Sequence, residues 1–269
     1  MAATLERNQR AIERCFEDLD SRRKDAEKES RRRDSAQDTR IAYLETRTSQ
    51  APTAPLPAGE GSVLPESVYA MFEERFRGPS EEVARKQRFY LPYLRNLPGP
   101  VFDAGCGRGE FLRLLAQEGI PARGVDSSGL AAEMCRAAGL EVLQGDAIRE
   151  LSASAPASLG AVVAFQVVEH WPAAATFRFL VEARRALAPR GVVIVETVNT
   201  NSLAAMNAFY LDPTHVRPVP PGALSFLLDA AGFRELTVEY LSPLPDAERL
   251  EERTANDARL NAVLFGPQA

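Results

Sequence analysis

The chain has 269 residues, 45% of them hydrophobic, and a net charge of −5, with a pI of about 5.3. That length holds one sizeable α/β domain and an appendage, and the acidic balance argues against broad electrostatic binding to nucleic acid, which relies on a basic face. Cys15, Cys106 and Cys135 have neither metal nor disulfide spacing, no apolar run reaches membrane length, and the first residues lack a signal-peptide core, so the expected setting is the reducing cytoplasm with no membrane span.

Residues 1–50 form a compositional block of their own, dense in both signs of charge. Leu5, Ile12 and Leu19 recur every seven positions with Phe16 between the last two, the narrow apolar seam of a charged helical arm or short coiled coil that could pair two copies of the chain. Arg31-Arg-Arg33 is flanked by acids and reads as a solvated face. Residues 51–65 carry Pro52, Pro55, Pro57 and Pro65 with Gly59 and Gly61, which suits a linker. Residues 66–99 return to helix. Val68, Phe72 and Phe76 form one apolar stripe, Gly78-Pro79 breaks it, and Phe89, Tyr90 and Tyr93 make an aromatic cluster that docks a helical cap on the sheet.

From Pro100 the pattern alternates strand and helix, the mark of a doubly wound, mostly parallel sheet. Val101–Ala104 reads as strand one and about 108–117 as its helix. Between them stand Asp103 and then Gly105, Gly107 and Gly109, a turn at which a ligand can approach without meeting a Cβ and at which helix N–H groups are free. A dinucleotide turn favours Gly-x-Gly-x-x-Gly. Here the glycines alternate behind a carboxylate, which suits a ligand with a cationic amino group and no phosphate. Ala122–Val125 reads as strand two. It ends at Asp126, 21 positions beyond Gly105, where an acid can accept both hydroxyls of a ribose. Ser127 and Ser128 cap the next helix. Leu140–Gln144 is strand three, followed by Gly145-Asp146-Ala147, and Ala161–Phe165 is strand four, leading into Gln166-Val-Val-Glu169-His170. A helix over about 173–187 and a Pro189-Arg-Gly191 turn precede strand five, Val192–Glu196. Residues 197–221 form a long connection, a length that carries function or a lid. A helix Gly222–Ala231 and strand six, Phe233–Tyr240, come next. The closing stretch reads mostly as helix, with Leu260–Phe265 the alternative of a short edge strand.

The order Asp103-x-Gly105-x-Gly107-x-Gly109, then Asp126, then Asp146 resembles the first motifs of the class I S-adenosylmethionine (SAM) dependent methyltransferases. The resemblance implies a Rossmann-like α/β fold with SAM held by Asp103, Gly105, Cys106, Gly107 and Gly109, by Asp126 and Ser127, by Asp146 (toward the adenine amino group) with Ala147, and by Gln166. That family adds an antiparallel seventh strand, for which this chain shows no clear segment.

Methyl transfer to oxygen needs a group that removes the acceptor's proton. The chain has two histidines, His170 and His215, both in segments flanking the expected cleft, and they are the candidate bases, with Glu169 as a third catalytic candidate. Quinone-type O-methyltransferases with Glu-x-x-Glu-His bind a divalent cation after strand four. This chain has Gln166 in the first place, so a metal on Glu169 and His170 is conceivable and not expected. Gln166–His170 together with the tract through Tyr210-Leu-Asp-Pro-Thr-His-Val-Arg217 is similar to bacterial methyltransferases of O-antigen and other surface polysaccharides, a resemblance over about residues 66–267. It implies a sugar hydroxyl or sugar phosphate as acceptor, with Asn199, Tyr210, Asp212, Arg217 and Arg77 as its binding residues, the arginines for an acidic group. The alternatives are a quinone or phenol acceptor, and a non-catalytic SAM-binding scaffold that assembles partners through the N-terminal helix. A nucleic-acid base methyltransferase would carry Asn/Asp-Pro-Pro-aromatic after strand four, which this chain lacks.

Overall fold

The computed structural model describes residues 64–242, 249 and 251–265. The charged arm, its coiled coil and nearly all of the linker lie outside the described residues. The described residues belong to a compact unit bounded by Val63 and Ala269. Among them no helix is long and apolar enough to cross a membrane.

The elements alternate as the sequence suggests. Three helices come first: α1 (Glu66–Phe76), α2 (Ser80–Gln87) and, after a 3₁₀ turn at Arg88–Tyr90, α3 (Leu91–Leu94). Next are β1 (Val101–Ala104), α4 (Glu110–Gln117), β2 (Ala122–Asp126), α5 (Gly129–Ala137), β3 (Val142–Gln144), α6 (Ala147–Ser152), β4 (Leu159–Phe165), α7 (Ala173–Ala186) and β5 (Leu187–Glu196). The chain continues through α8 (Leu203–Leu211), α9 (Pro221–Ala230) and α10 (Ala255–Phe265). The strands form one sheet in the order β3-β2-β1-β4-β5, and every pairing is parallel.

Strand periodicity explains the two layers. Alternate residues of a strand face opposite sides. Val101 and, on β4, Ala161, Val163 and Phe165 pack on one face against Tyr90, Leu91, Leu94, Phe111 and Leu115 from the helices before β1 and after it. Phe102, Ala104, Val162 and Ala164 pack on the other face against Leu151 of α6 and Phe179, Leu180 and Ala183 of α7. All seven residues of β4 are buried, as a central strand covered on both faces requires. The buried positions of α7, at 176, 179, 180, 183 and 186, follow the helical period. Tyr90 docks the helical cap by stacking on Phe165 at 4.6 Å between centroids, with Phe111 edge-on to Phe165 at 4.8 Å.

One expected strand is absent among the described residues, the closing stretch is helical as its main reading has it, and β5 starts early. Phe233–Tyr240 is not a strand: Gly232 ends α9 with φ +94°, Glu235 then takes φ +59°, and the backbone leaves the extended region. Leu236 and Val238 stay exposed, so the alternating pattern is present without a partner strand. Leu260–Phe265 lies in α10, and the sheet of the described residues ends at β5. β5 itself begins five residues earlier than expected, because Leu187 already pairs with Leu159 across a bulge.

Hydrogen–deuterium exchange checks this arrangement: the amides of 235–241 should exchange at least about a hundredfold faster than those of β1 and β4, which open only with the whole domain. Equal protection would restore the sixth strand.

Candidate functional site

The order β3-β2-β1-β4-β5 reverses direction between β1 and β4, which is where open α/β sheets hold ligands, outside the carboxyl ends of the strands. The glycine turn occupies that place. Gly105, Gly107 and Gly109 have φ of +68°, +51° and +74°, all costly for a residue with a Cβ. Asp126 ties the turn to β2. Its Oδ2 accepts the Gly107 N–H at 2.7 Å and its Oδ1 accepts the Ser128 N–H at 2.9 Å. Burial raises its pKa, and those two N–H groups work against that. Asp103 is 2% exposed, and burial carries its carboxyl well above the usual range, with Asp126 adding to the rise and Arg77 opposing it.

Helix α1 contributes a polar face. Residues 66, 69, 73 and 77 are spaced three or four apart and share one side of the helix. Glu66 accepts from the Ser128 hydroxyl at 2.6 Å and from the Leu130 N–H at 2.9 Å. Tyr69 donates to Asp212 at 3.0 Å. Arg77 bonds Glu73 at 3.1 Å and approaches the buried Glu110 at 3.9 Å. A Cβ on Gly107 would stand 2.6 Å from Arg77 Nη1, so the guanidinium lies directly on the turn. Glu110 begins α4, pairs with Arg108 at 2.6 Å and accepts from Ser80 at 3.1 Å.

Beyond β4 a second group assembles. Gln166 takes φ +57° and donates through Nε2 to Glu196 at 2.8 Å, and Tyr90 also donates its hydroxyl to Glu196. The next turn buries Glu169 completely. Its backbone oxygen accepts from the N–H groups of Val216 and Arg217, fastening the connection after β5 to the end of β4. Its carboxylate oxygens have no hydrogen-bond partner. Burial raises its pKa to about 7, and the nearby Thr197 hydroxyl offsets that only in part.

His170, Asp212 and His215 stand together, with one ligating atom of each within 4.8 Å of the others. The two rings meet edge to face at 4.7 Å, and Phe209 stacks on His215 at 4.8 Å. Hydrogen bonding assigns the tautomers. His215 Nδ1 lies 2.7 Å from the Phe209 carbonyl, which can only accept, so Nδ1 carries the proton. The Thr214 hydroxyl donates to Asp212 Oδ1 at 2.6 Å and lies 3.0 Å from His170 Nδ1, which therefore donates to it. Both imidazoles thus keep a lone pair on Nε2. Burial and then His215 lower the pKa of His170. Burial opposes ionisation of Asp212, but bonds from Thr214 and Tyr69 outweigh it and hold the group below its usual range.

The structure gathers many of the residues singled out in the sequence and separates others. Asp103, Gly105, Cys106, Gly107, Gly109 and Asp126 form one floor, with Cys106 buried and Cys135 donating to the Gly107 carbonyl. Ser127 is exposed, and its neighbour Ser128 holds Asp126 and caps α5. Asp146 caps α6 through Arg149 N–H at 2.7 Å, with Ala147 buried behind it. Arg77, expected at the acceptor, lies instead on the glycine turn, because α1 crosses there. Asn199 closes a local turn on Asn201, Tyr210 is 74% exposed, and Arg217 Nε is buried without a partner. A metal on Glu169 and His170 is not what the geometry favours: the carboxylate that joins the imidazoles is Asp212. Glu66, Tyr69, Glu73, Glu110 and Thr214 are site residues that the sequence pattern does not single out, although 66, 69, 73 and 77 carry the spacing of a common helix face. A surface hollow bounded by Pro100, Arg123, Ser154 and Leu159 opens at the opposite, amino-terminal edge of the sheet.

Glu169 makes a prediction about stability. A group with a raised native pKa stabilises the fold below its unfolded pKa, and that contribution is lost as pH rises through the native value. Between about pH 4.5 and 7 the native state should lose roughly 3 kcal/mol from this group alone. Glu169→Gln should flatten that part of the pH–stability curve in urea unfolding; an unchanged slope would refute the assignment.

A family model described as a methyltransferase domain matches residues 71–238, more than half of the chain. A probable SAM-dependent methyltransferase of Mycolicibacterium smegmatis is 34% identical over 136 residues, 49% of this chain and 51% of that protein. One of Mycobacterium tuberculosis is 33% identical over 172 residues, 62% of this chain and 61% of that protein. The chain thus spans a little over half of the first relative's length and about three fifths of the second's. The solved SAM-dependent methyltransferase from Archaeoglobus fulgidus matches with a TM-score of 0.70 at 34% identity, covering 74% of this chain and 96% of that one. With the parallel sheet and the glycine turn, these matches establish that the chain belongs to the class I SAM-dependent methyltransferases.

Proposed function

We propose that the protein transfers a methyl group from SAM to a hydroxyl or phosphate oxygen of a bacterial surface glycan or its precursor. The observation that carries the reading is the convergence of His170, Asp212 and His215 at the carboxyl edge of the sheet that holds the glycine turn.

The residues present fit the cofactor. The positive-φ glycines let neighbouring side chains pack directly on the turn, with Arg77 Nη1 standing 2.6 Å from where a Cβ at Gly107 would be. Asp126 spends one hydrogen bond per oxygen and keeps lone pairs for a ribose. Asp103 suits a cationic amino group, and Arg77 on the turn suits a carboxylate. Asp146, Ala147 and Gln166 complete the proposed binding set. When bound, SAM supplies a methyl group on a sulfonium, whose departure leaves a neutral thioether. The chain's own part is to position the acceptor and draw off its proton. The His170–Asp212–His215 cluster does the second: its imidazoles present Nε2 lone pairs, and Asp212 Oδ2 lies 3.9 Å from His215 Nε2, where it favours an arriving positive charge. Tyr69 and Thr214 hold Asp212 in place.

A polar acceptor is supported by the base of the connection after β5. The Thr200 hydroxyl and Arg217 Nε are buried there without partners, beside the Thr197 hydroxyl and the Glu169 carboxylate, and sugar hydroxyls supply both donors and acceptors. The polysaccharide assignment rests on the similarity of the Gln166–His170 and Tyr210–Arg217 stretches to methyltransferases of surface polysaccharides. Phe209 and the exposed Tyr210 favour a second reading, a small phenol or quinone acceptor.

Calorimetry with S-adenosylhomocysteine and transfer of tritiated methyl groups separate these readings. Asp126→Ala should weaken binding of that product at least about tenfold, since it removes charge-assisted hydrogen bonds. His215→Gln should keep the binding and lower methyl transfer about a hundredfold to ten-thousandfold, the range of a lost general base. Label in catechol and none in a surface-polysaccharide fraction would select the phenol reading. Product binding with neither acceptor labelled would leave a scaffold.

A further inference from the structure

The geometry points to a site for a divalent, zinc-class cation formed by His170, Asp212 and His215, at the end of the cleft where the acceptor enters. The inference rests on the reading of this cluster as the acceptor's side of the site, and it specifies how the cluster acts.

Ligand chemistry comes first. Two imidazole nitrogens and one carboxylate oxygen are a donor set for zinc and neighbouring transition metals, with the remaining positions open to water or substrate. The ligating atoms lie within 4.8 Å of one another, and Asp212 Oδ2 is 3.9 Å from His215 Nε2. Bonds of about 2.0–2.2 Å to a tetrahedral ion put ligand atoms roughly 3.4 Å apart. Closure by about an ångström therefore completes the site. Two of the three residues come from the connection after β5, which is tied to the segment after β4 through the Glu169 carbonyl and the Thr214–His170 hydrogen bond.

The outer contacts have the form that metal-binding histidines need. A ligating imidazole donates its other N–H to a carbonyl, hydroxyl or carboxylate, which fixes the ring and its tautomer. His215 Nδ1 meets the Phe209 carbonyl and His170 Nδ1 meets Thr214. Asp212 is held in turn by Thr214 and Tyr69. His215 and Asp212 retain 8% and 12% side-chain exposure, so an ion has a way in.

An ion here would bind the acceptor's oxygen and lower the pKa of its hydroxyl, whose proton would leave to solvent; with the ion bound the imidazoles serve as ligands in place of the base role they have without it. Arg217 and Glu169 stay outside the ligand set.

The chain contains only two histidines, which makes the test direct. The untagged full chain is stripped with chelator and titrated with zinc chloride, following imidazole proton–nitrogen resonances and heat. One equivalent should bind and shift the ring-nitrogen resonances of both histidines; Co(II) in its place should give visible d–d bands of a nitrogen–oxygen site. Asp212→Asn and His215→Gln should abolish the saturable event, and Thr214→Val should weaken it about 10–100-fold, as loss of an outer contact does, with binding of S-adenosylhomocysteine retained as the folding control. No saturable zinc binding by the wild-type chain, or saturation that leaves either histidine unshifted, overturns the proposal, and neither outcome depends on a variant folding. Methyl transfer that survives in His215→Gln would sink the acceptor-side reading on its own while leaving the zinc titration of the wild-type chain unchanged.

Discussion

The Asp126 carboxylate is the fixed point of this domain. Three positive-φ glycines, Gly105, Gly107 and Gly109, would be a loose turn in isolation, because each glycine gives up more backbone freedom on folding than any other residue. Asp126 removes that freedom by accepting the Gly107 N–H from β1's turn and the Ser128 N–H from its own. Two loops at the carboxyl edge are thereby clamped through one side chain. Strand pairing sets the clamp's reach, since Ala104 and Val125 are register partners.

Around that clamp the charges are arranged in a closed set. Asp103, Glu73 and Glu110 would repel one another in a buried cleft, and burial already raises Asp103 and Glu73. Arg77 and Arg108 enter from α1 and from the turn itself to meet them. Buried charge is tolerated when it is paired, so α1, which buries none of its own side chains completely, is held to the domain through polar contacts. A helix attached in this way can leave at lower cost than one with an apolar face in the core.

The sheet and the glycine turn are legible in the sequence because each rests on a local rule. Strand four is an apolar run between turn residues, strand one leads with Val101 and Phe102 into Asp103, and Asp103, Gly105, Gly107 and Gly109 sit in one unbroken stretch. The sixth strand misleads for the same reason: Phe233–Tyr240 has the right alternation, but strand pairing is a property of two segments, and among the described residues none pairs with it. The acceptor cluster is half legible. His170 and His215 stand out as the only histidines, yet Thr214 joins residues 44 positions apart and Tyr69 reaches across 143, distances at which no spacing rule operates. Arg77 is placed at the acceptor by charge alone, and charge does not say which end of a cleft a helix crosses.

Several buried polar groups stand near the turn after β4. Glu169 is sealed from solvent, and Thr200 Oγ1 and Arg217 Nε are buried without hydrogen-bond partners. Each unmade bond costs about 1–3 kcal/mol, more for a charged group. The core on either side of β4 shows no such waste; its faces are apolar and filled. The connection between β5 and α9 also carries Asp212 and His215. The burial of Glu169 and the placement of His215 therefore depend on one short stretch of backbone, the pair of hydrogen bonds by which Val216 and Arg217 hold the Glu169 carbonyl.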